Sequence, residues 1–401
     1  MQIFTRTKKR KQDVQASLKH TAKQIRNLAL FFTRNVSLRL WLDTGLFERE
    51  KQLYEEHLRC GNLQSVYWLT YGKGDTKLAE ELKSVGRLDR RIHVLAMPPF
   101  FSGKWGRLVY SFLMTLIHHR FLRDADVLKT NQIDGSWSAV IAGWLYRKPL
   151  IVRTGYTRSL FAQKQANPKL AKRFERIERF AYRNADIAAV ASRSDKEYIC
   201  SKYHIARKRT EVLYNYVNIE VFRPTKARKY TDRIIFVGRL EPQKNLFNLI
   251  EAVAECDLAL DIYGRGELRD ELQSHAISRD ARVNFPGVVG HGELPEILNR
   301  YRYFVLPSLY EGMPKTLLEA MACGLVCIGA DTDGIRELIE DGVNGYLAGG
   351  TSVDAIAEAI QRAVKLSDDS VVEEAVKRIR ENFSIETVTG KEKELIARIM
   401  I

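Results

Sequence analysis

The sequence predicts an α/β protein of two doubly wound domains facing a cleft. From residue 234 onward, short β-branched runs alternate with helical patterns. The same alternation runs less cleanly through residues 36–214, and a stretch without periodicity separates the halves. Parallel neighbouring strands need a crossover connection, so this alternation describes parallel sheets wrapped by helices, a Rossmann-like pattern in each half.

In the second half, strands are expected at 234–237, 258–263, 283–285, 303–306, 325–329 and 345–347, with helices over 245–256 and 267–277. In the first half they are expected at 36–42, 65–71, 92–96, 127–130, 150–153, 187–190 and 211–214. Residues 215–232 carry Pro224 and several basic residues without periodicity and read as the linker. The expected division is a basic extension at 1–34, a first Rossmann-like domain at 35–217 and a second at 218–383. A final helix within 384–401 is expected to pack back on the first domain. Ligands of such sheets bind beyond the carboxyl ends of the strands, so the two domains would share a cleft.

Charge divides the chain. Residues 1–220 hold 41 Lys and Arg against 20 Asp and Glu, and the remainder 23 against 29. A basic half suits a polyanion, whether nucleic acid, anionic lipid or phosphorylated substrate. Residues 1–34 contribute nine Lys and Arg against Asp13, with Val14, Leu18, Ile25, Leu28 and Leu30 at partial helical spacing. A basic amphipathic arm on an anionic surface and a poorly ordered extension both fit. Residues 108–117, followed by His118, His119, Arg120 and Arg123, are apolar but too short to span a bilayer; they read as a core helix of the first domain, with a basic amphipathic contact to an anionic surface as the alternative. No signal peptide is evident. Five cysteines without an even framework suit a reducing, cytoplasmic setting, with peripheral attachment to a membrane allowed.

The densest chemical signal is Pro307–Gly324. A strand ends near Pro307, a loop holding Glu311 and Gly312 follows, and Pro314 stands where a first helical position favours proline. The amides of Lys315, Thr316 and Leu317 would then point from the helix start as a diphosphate seat. Glu311 ahead of the helix and Glu319 about five residues into it are placed for sugar and ribose hydroxyls. Arg239 and Lys244, at the end of an earlier strand, would stabilise the departing diphosphate electrostatically.

Together, the acids of Glu311 and Glu319, Gly238-Arg239 with Lys244, Tyr263-Gly264-Arg265-Gly266-Glu267-Leu268 and Asp333-Gly334-Ile335-Arg336-Glu337-Leu338 resemble the retaining GT-B-fold glycosyltransferases of the "glycosyl transferases group 1" family. The resemblance covers most of residues 211–383. It implies diphosphate binding by Arg239 and Lys244, sugar binding by Glu311 and ribose binding by Glu319, with Gly264 and the turn through Val288 and Val289 bordering the nucleobase. It also implies hexosyl transfer from a UDP- or GDP-sugar to a glycan or lipid-linked acceptor, with retention of anomeric configuration and without a metal or other cofactor. Cell-envelope polysaccharide biosynthesis is the implied setting. The chain departs from the family at Pro314, where many members have a second glycine. On the acceptor side, the loop Asp43-Thr44-Gly45 lacks the usual glycine pair and Thr130-Asn131-Gln132 offers no histidine. Gln132, Arg153 and Tyr156 are the remaining acceptor-side candidates, because strand ends face the cleft.

Other signals carry less. Asp331-Thr332-Asp333 and Asp124-Ala125-Asp126 read as D-x-D, a metal motif of a different glycosyltransferase fold. Gly264-Arg265-Gly266 fails the dinucleotide fingerprint because Arg269 stands where it needs glycine. His118-His119 lacks partners at metal spacing and is expected to flank a helix. A nucleic-acid-binding protein is disfavoured because basic and aromatic residues do not interleave. A non-catalytic nucleotide-sugar-binding partner is the remaining alternative.

Overall fold

The computed structural model describes residues 26–366 and 368–400. Among the described residues, thirteen strands form two sheets. The first comprises β1 (Asn27–Phe31), β2 (Ser65–Leu69), β3 (Ile92–Leu95), β4 (Val127–Thr130), β5 (Leu150–Thr154), β6 (Ile187–Val190) and β7 (Thr210–Val212). The second comprises β8 (Tyr230–Val237), β9 (Ala259–Tyr263), β10 (Val283–Gly287), β11 (Tyr301–Leu306), β12 (Val326–Ala330) and β13 (Tyr346–Ala348). Their orders are β3-β2-β1-β4-β5-β6-β7 and β10-β9-β8-β11-β12-β13, and every pairing is parallel. Both sheets therefore reverse direction at a switch point, between β1 and β4 and between β8 and β11.

The first strand departs from expectation. Residues 36–42 do not form a strand. Ser37 caps the helix Leu38–Asp43 by accepting from the Leu40 amide at 3.0 Å, and Leu38 and Trp41 face inward at helical spacing. The central strand is instead Asn27–Phe31, whose Leu28, Ala29 and Leu30 are fully buried. A strand covered on both faces shows a continuous apolar run rather than alternation. The segment 1–34 is therefore not all extension, because Leu28 and Leu30 are core residues. The rest of the expected arm, through residue 25, lies outside the described residues.

The chain crosses between domains twice. The first crossing follows β7 and ends at Tyr230, so Asp232 belongs to β8 rather than to the linker. The second passes through Phe383 and Ser384. The crossings touch side by side: the Val217 amide donates to the Phe383 carbonyl at 2.9 Å, and the Ile385 amide to the Val217 carbonyl at 3.0 Å. The last helix, Ile385–Ile399, then buries Ile385, Val388, Leu395 and Ile396 in the first domain's core.

That helix also buries a charge. Glu392 pairs with Lys129 at the end of β4 and lies 3.5 Å from His57 Nε2, with all three side chains nearly inaccessible. Burial pushes the Glu392 carboxyl up, but Lys129 and His57 outweigh it and hold it below the usual carboxylate range. Among the described residues, no helix is long and apolar enough to cross a membrane.

Candidate active site

A cavity of about 920 Å3 opens between the carboxyl ends of the two sheets. The first domain contributes Thr33 after β1, Gln132 after β4, and Arg153 and Tyr156 at the end of β5. The second contributes Gly238, Arg239 and Lys244 after β8, with Glu311, Gly312, Lys315 and Thr316 after β11. The β8 and β11 loops are tied by Gln243, whose Nε2 donates to the Tyr310 carbonyl at 2.7 Å and whose carbonyl accepts from the Leu309 amide at 2.9 Å.

Lys244 Nζ forms a close ion pair with Glu311 Oε1, and both side chains are largely shielded. Arg239 is more open and pairs with Glu241 at 2.7 Å. Pro314 is the N-cap, in extended conformation, and Lys315 is the first helical residue of Lys315–Ala322. Proline thus sits one position earlier than expected. The helix's first backbone bond runs from the Leu318 amide to the Pro314 carbonyl at 3.4 Å. The amides of Lys315, Thr316 and Leu317 have no acceptor among the described residues, as helix geometry leaves them. The Leu317 side chain itself is core.

Glu319 does not line the main cavity and is almost fully buried. Its Oε1 lies 3.2 Å from His291 Nε2 and 3.9 Å from Arg49 Nη1, while Oε2 is buried without a hydrogen-bond partner among the described residues. Gly264, Val288 and Val289 also stand off the cavity wall. Gly264 adopts φ +150°, donates to the Gly287 carbonyl at 2.8 Å and touches the β8 loop so closely that a Cβ would lie 1.8 Å from the Gly238 oxygen. Val288 is exposed, whereas Val289 packs against the domain core.

On the first domain's side, Asp43, Thr44 and Gly45 do not form the loop after the first strand. They end the helix Leu38–Asp43, with Thr44 as its C-cap and Gly45 at φ +73°, and of the three only Thr44 lines the cavity. The loop that follows β1 begins at Phe32 and Thr33 and contains no glycine before the helix. Gln132 Oε1 accepts from the Gly155 amide at 3.0 Å, and Arg153 donates to Asn215 Oδ1 at 3.0 Å. Asn215 in turn donates to the Met313 carbonyl at 2.8 Å. Gly312 lies so close to the β5 loop that a Cβ would fall 2.7 Å from that of Tyr156. The two domains are in direct contact across the site.

Arg49 and Glu50, on the helix Phe47–Arg59, were not singled out by sequence reasoning. Glu50 Oε1 lies 2.8 Å from Lys315 Nζ. Burial pushes the Glu50 carboxyl up, but Lys315 and Arg49 beside it pull it down to about 2. Burial lowers Lys315 to about 8, and the opposing pull of Glu50 does not restore its ordinary value. No motif marks this pair, because it exists only once the domains meet.

The D-x-D pairs serve structural bonds. Asp331 accepts from Arg336 at 2.5 Å, and Asp124 accepts from Asn27 Nδ2 at 2.8 Å. Among the described residues, no group of three or more His, Cys, Asp or Glu is placed to hold a metal ion. His118 caps the helix Gly103–Ile117 and meets the Tyr110 hydroxyl at 3.0 Å.

Two parallel-sheet, Rossmann-like domains facing across a cation-lined cleft give the GT-B architecture. The chain belongs to this glycosyltransferase family: residues 218–383 match Glycosyl transferases group 1, and residues 63–221 match Glycosyltransferase Family 4. It is 27% identical over 299 residues to the Escherichia coli UDP-Gal:alpha-D-GlcNAc-diphosphoundecaprenol alpha-1,3-galactosyltransferase, covering 69% of this chain and 76% of that protein. It is 27% identical over 329 residues to the Streptomyces kanamyceticus alpha-D-kanosaminyltransferase, covering 73% and 82%. Another relative, from Campylobacter jejuni, extends a PP-undecaprenol-linked glycan with N-acetyl-D-galactosamine; it is 28% identical, covering 56% of this chain and 63% of its own length. The fold is shared with Anabaena HepE in complex with UDP and glucose, with TM-score 0.70, 19% identity, and coverage of 93% of this chain and 99% of that one. Sucrose-phosphate synthase of Thermosynechococcus elongatus gives TM-score 0.72 at 18% identity, with coverage of 93% and 98%.

Proposed function

We propose that this glycosyltransferase moves a hexose-type sugar from a UDP- or GDP-sugar to a glycan or lipid-linked acceptor, with retention, in cell-envelope polysaccharide synthesis. One observation carries the reading: the Lys244–Glu311 pair and the free amides of Lys315, Thr316 and Leu317 converge at the ends of β8 and β11. The diphosphate sits on those amides, with Lys244 and Arg239 beside it. Glu311 accepts hydrogen bonds from sugar hydroxyls, and the unpartnered Glu319 oxygen receives the ribose. For that, the buried Oε2 has to become open to the donor, while Oε1 keeps its contacts with His291 and Arg49.

As the bond from the anomeric carbon to the phosphate oxygen breaks, the acceptor oxygen bonds that carbon from the same face. The acceptor's proton passes to the departing phosphate. Arg239 and Lys244 stabilise the charge growing on the diphosphate, the work a divalent cation performs elsewhere, so turnover is expected to persist in chelator. The acceptor is drawn from the substrate classes named for the Escherichia coli and Campylobacter jejuni relatives, both diphosphate-linked lipids.

The test is product analysis with undecaprenyl-diphosphate-linked sugars and a panel of UDP- and GDP-sugars. An α-linked product from an α-configured donor supports the reading, and a β-linked product overturns retention. Donor binding without transfer or hydrolysis across the panel would instead mark a non-catalytic binding partner.

A further inference from the structure

The helix Gly103–Ile117 faces the wrong way for a core helix. Its buried side carries Tyr110, Ser111, Met114 and Thr115, three of them hydroxyl residues. Its outer side presents Trp105, 80% exposed, with Val109, Phe112, Leu113, Leu116 and Ile117. Helices of soluble domains normally turn the apolar stripe inward. Here the inward polar groups are engaged: Ser111 Oγ accepts from Trp137 Nε1 at 3.0 Å, and the Thr115 carbonyl accepts from the Tyr146 hydroxyl at 2.7 Å. The orientation is therefore fixed by bonds to the neighbouring helix, Ser136–Tyr146. Residues 108–117 thus reach the core through Tyr110 and Met114, as expected of a core helix, but leave most of their apolar side chains outside it.

The outward apolar residues form one surface. Phe112 stacks on Trp137, Leu116 and Leu145 line a shared shallow depression, and Trp144 meets the Phe180 ring at 5.9 Å. Contiguous apolar patches beyond roughly a few hundred Å2 on soluble domains mark interaction sites. Exposed Arg120 and Arg123 follow the helix, Arg147 follows Ser136–Tyr146, and Pro168–Asn184 carries six Lys and Arg against two acids. The helix Gly103–Ile117 follows β3, and Phe100, 75% exposed, stands in the connection that leads into it.

We infer that this face docks the enzyme on an anionic lipid bilayer. Tryptophan and phenylalanine enter the headgroup boundary while the flanking arginines meet lipid phosphates, the pairing that interfacial helices use. A second copy of the chain fits less well, because a two-fold contact would set one basic rim against the other. The inference goes beyond the donor-site reading, and vesicle binding is read without turnover.

The test uses the full chain with vesicles of phosphatidylcholine, alone or with phosphatidylglycerol, and measures co-sedimentation. The parent is expected to bind the mixed vesicles. The variant Trp105→Ser/Phe112→Ser/Leu116→Ser should lose about tenfold or more in partitioning. Arg120→Glu/Arg123→Glu should lose the preference for phosphatidylglycerol. All five side chains are exposed, so thermal unfolding should match the parent. Parent-like binding by the triple variant, or no binding by the parent, overturns the proposal. So does a parent dimer in sedimentation velocity that the triple variant dissociates, which would assign the face to a second copy.

Discussion

Lys244 and Glu311 neutralise one another, which offsets the cost of shielding two charges from water. A bound diphosphate offers Lys244 a second anion. Lys244→Ala is expected to lower kcat by about 100-fold or more with a smaller change in donor KM, since the diphosphate's charge grows most in the transition state. Steady-state kinetics checks it, and an effect confined to KM would reduce Lys244 to a ground-state contact. Lys315 makes a pH prediction. With its pKa lowered to about 8, it is a cation below that pH and neutral above it. If that charge supports the diphosphate, kcat/KM falls as pH rises through about 8, because this ratio reports the free enzyme. Lys315→Arg keeps its charge and should abolish the alkaline limb. Residues such as Lys244 and Glu311 were legible because they sit in short segments with recognisable spacing. Glu50 and Arg49 were not, since an acid and a base inside a half-polar helix look like solvated surface until another domain covers them.

At the scale of elements, the site depends on loops approaching more closely than side chains permit. The β8 and β9 ends converge at Gly264, where any Cβ would meet the Gly238 carbonyl and where φ +150° is foreign to other residues. Gly264→Ala is expected to destabilise the second domain by about 2 kcal/mol or more, read by denaturant unfolding. A parent-like midpoint would show that the loop shifts freely. The strands of the second domain were legible because β-branched runs are bounded by glycine and helical patterns. The first strand was misplaced because residues 36–42, with Val36, Leu38, Leu40 and Leu42 at every second position, mimic strand alternation, whereas Asn27–Phe31 shows none. Ser37 and Asp75 decide the matter locally: Ser37 accepts from the Leu40 amide, and Asp75 Oδ2 accepts from the Leu38 amide at 2.7 Å. The orientation of Gly103–Ile117 was equally hidden, because periodicity reveals an apolar face but not which way it points.

At the scale of the whole molecule, two crossings and a returning helix hold the domains around the cleft. Glu392 brings a carboxylate from the end of the chain to Lys129 beneath the cavity. Glu392→Ala leaves that lysine buried without its counter-charge and should cost about 3–5 kcal/mol. Lys129→Met/Glu392→Met should recover most of this in equilibrium unfolding, and a double variant as unstable as the single one would deny the pairing. The two-domain plan was legible from alternation and the linker. This latch was not, because its members are far apart in sequence and neither lies in a motif. In the proposed binding mode, the second domain's donor seat holds a nucleotide-sugar through Glu319. The most direct measurement is the thermal shift of the parent and of Glu319→Ala across a panel of UDP- and GDP-sugars. The parent should be stabilised by at least one donor, and Glu319→Ala, folded and unfolding cooperatively on its own, should lose that shift. An equal shift in both proteins would contradict the account.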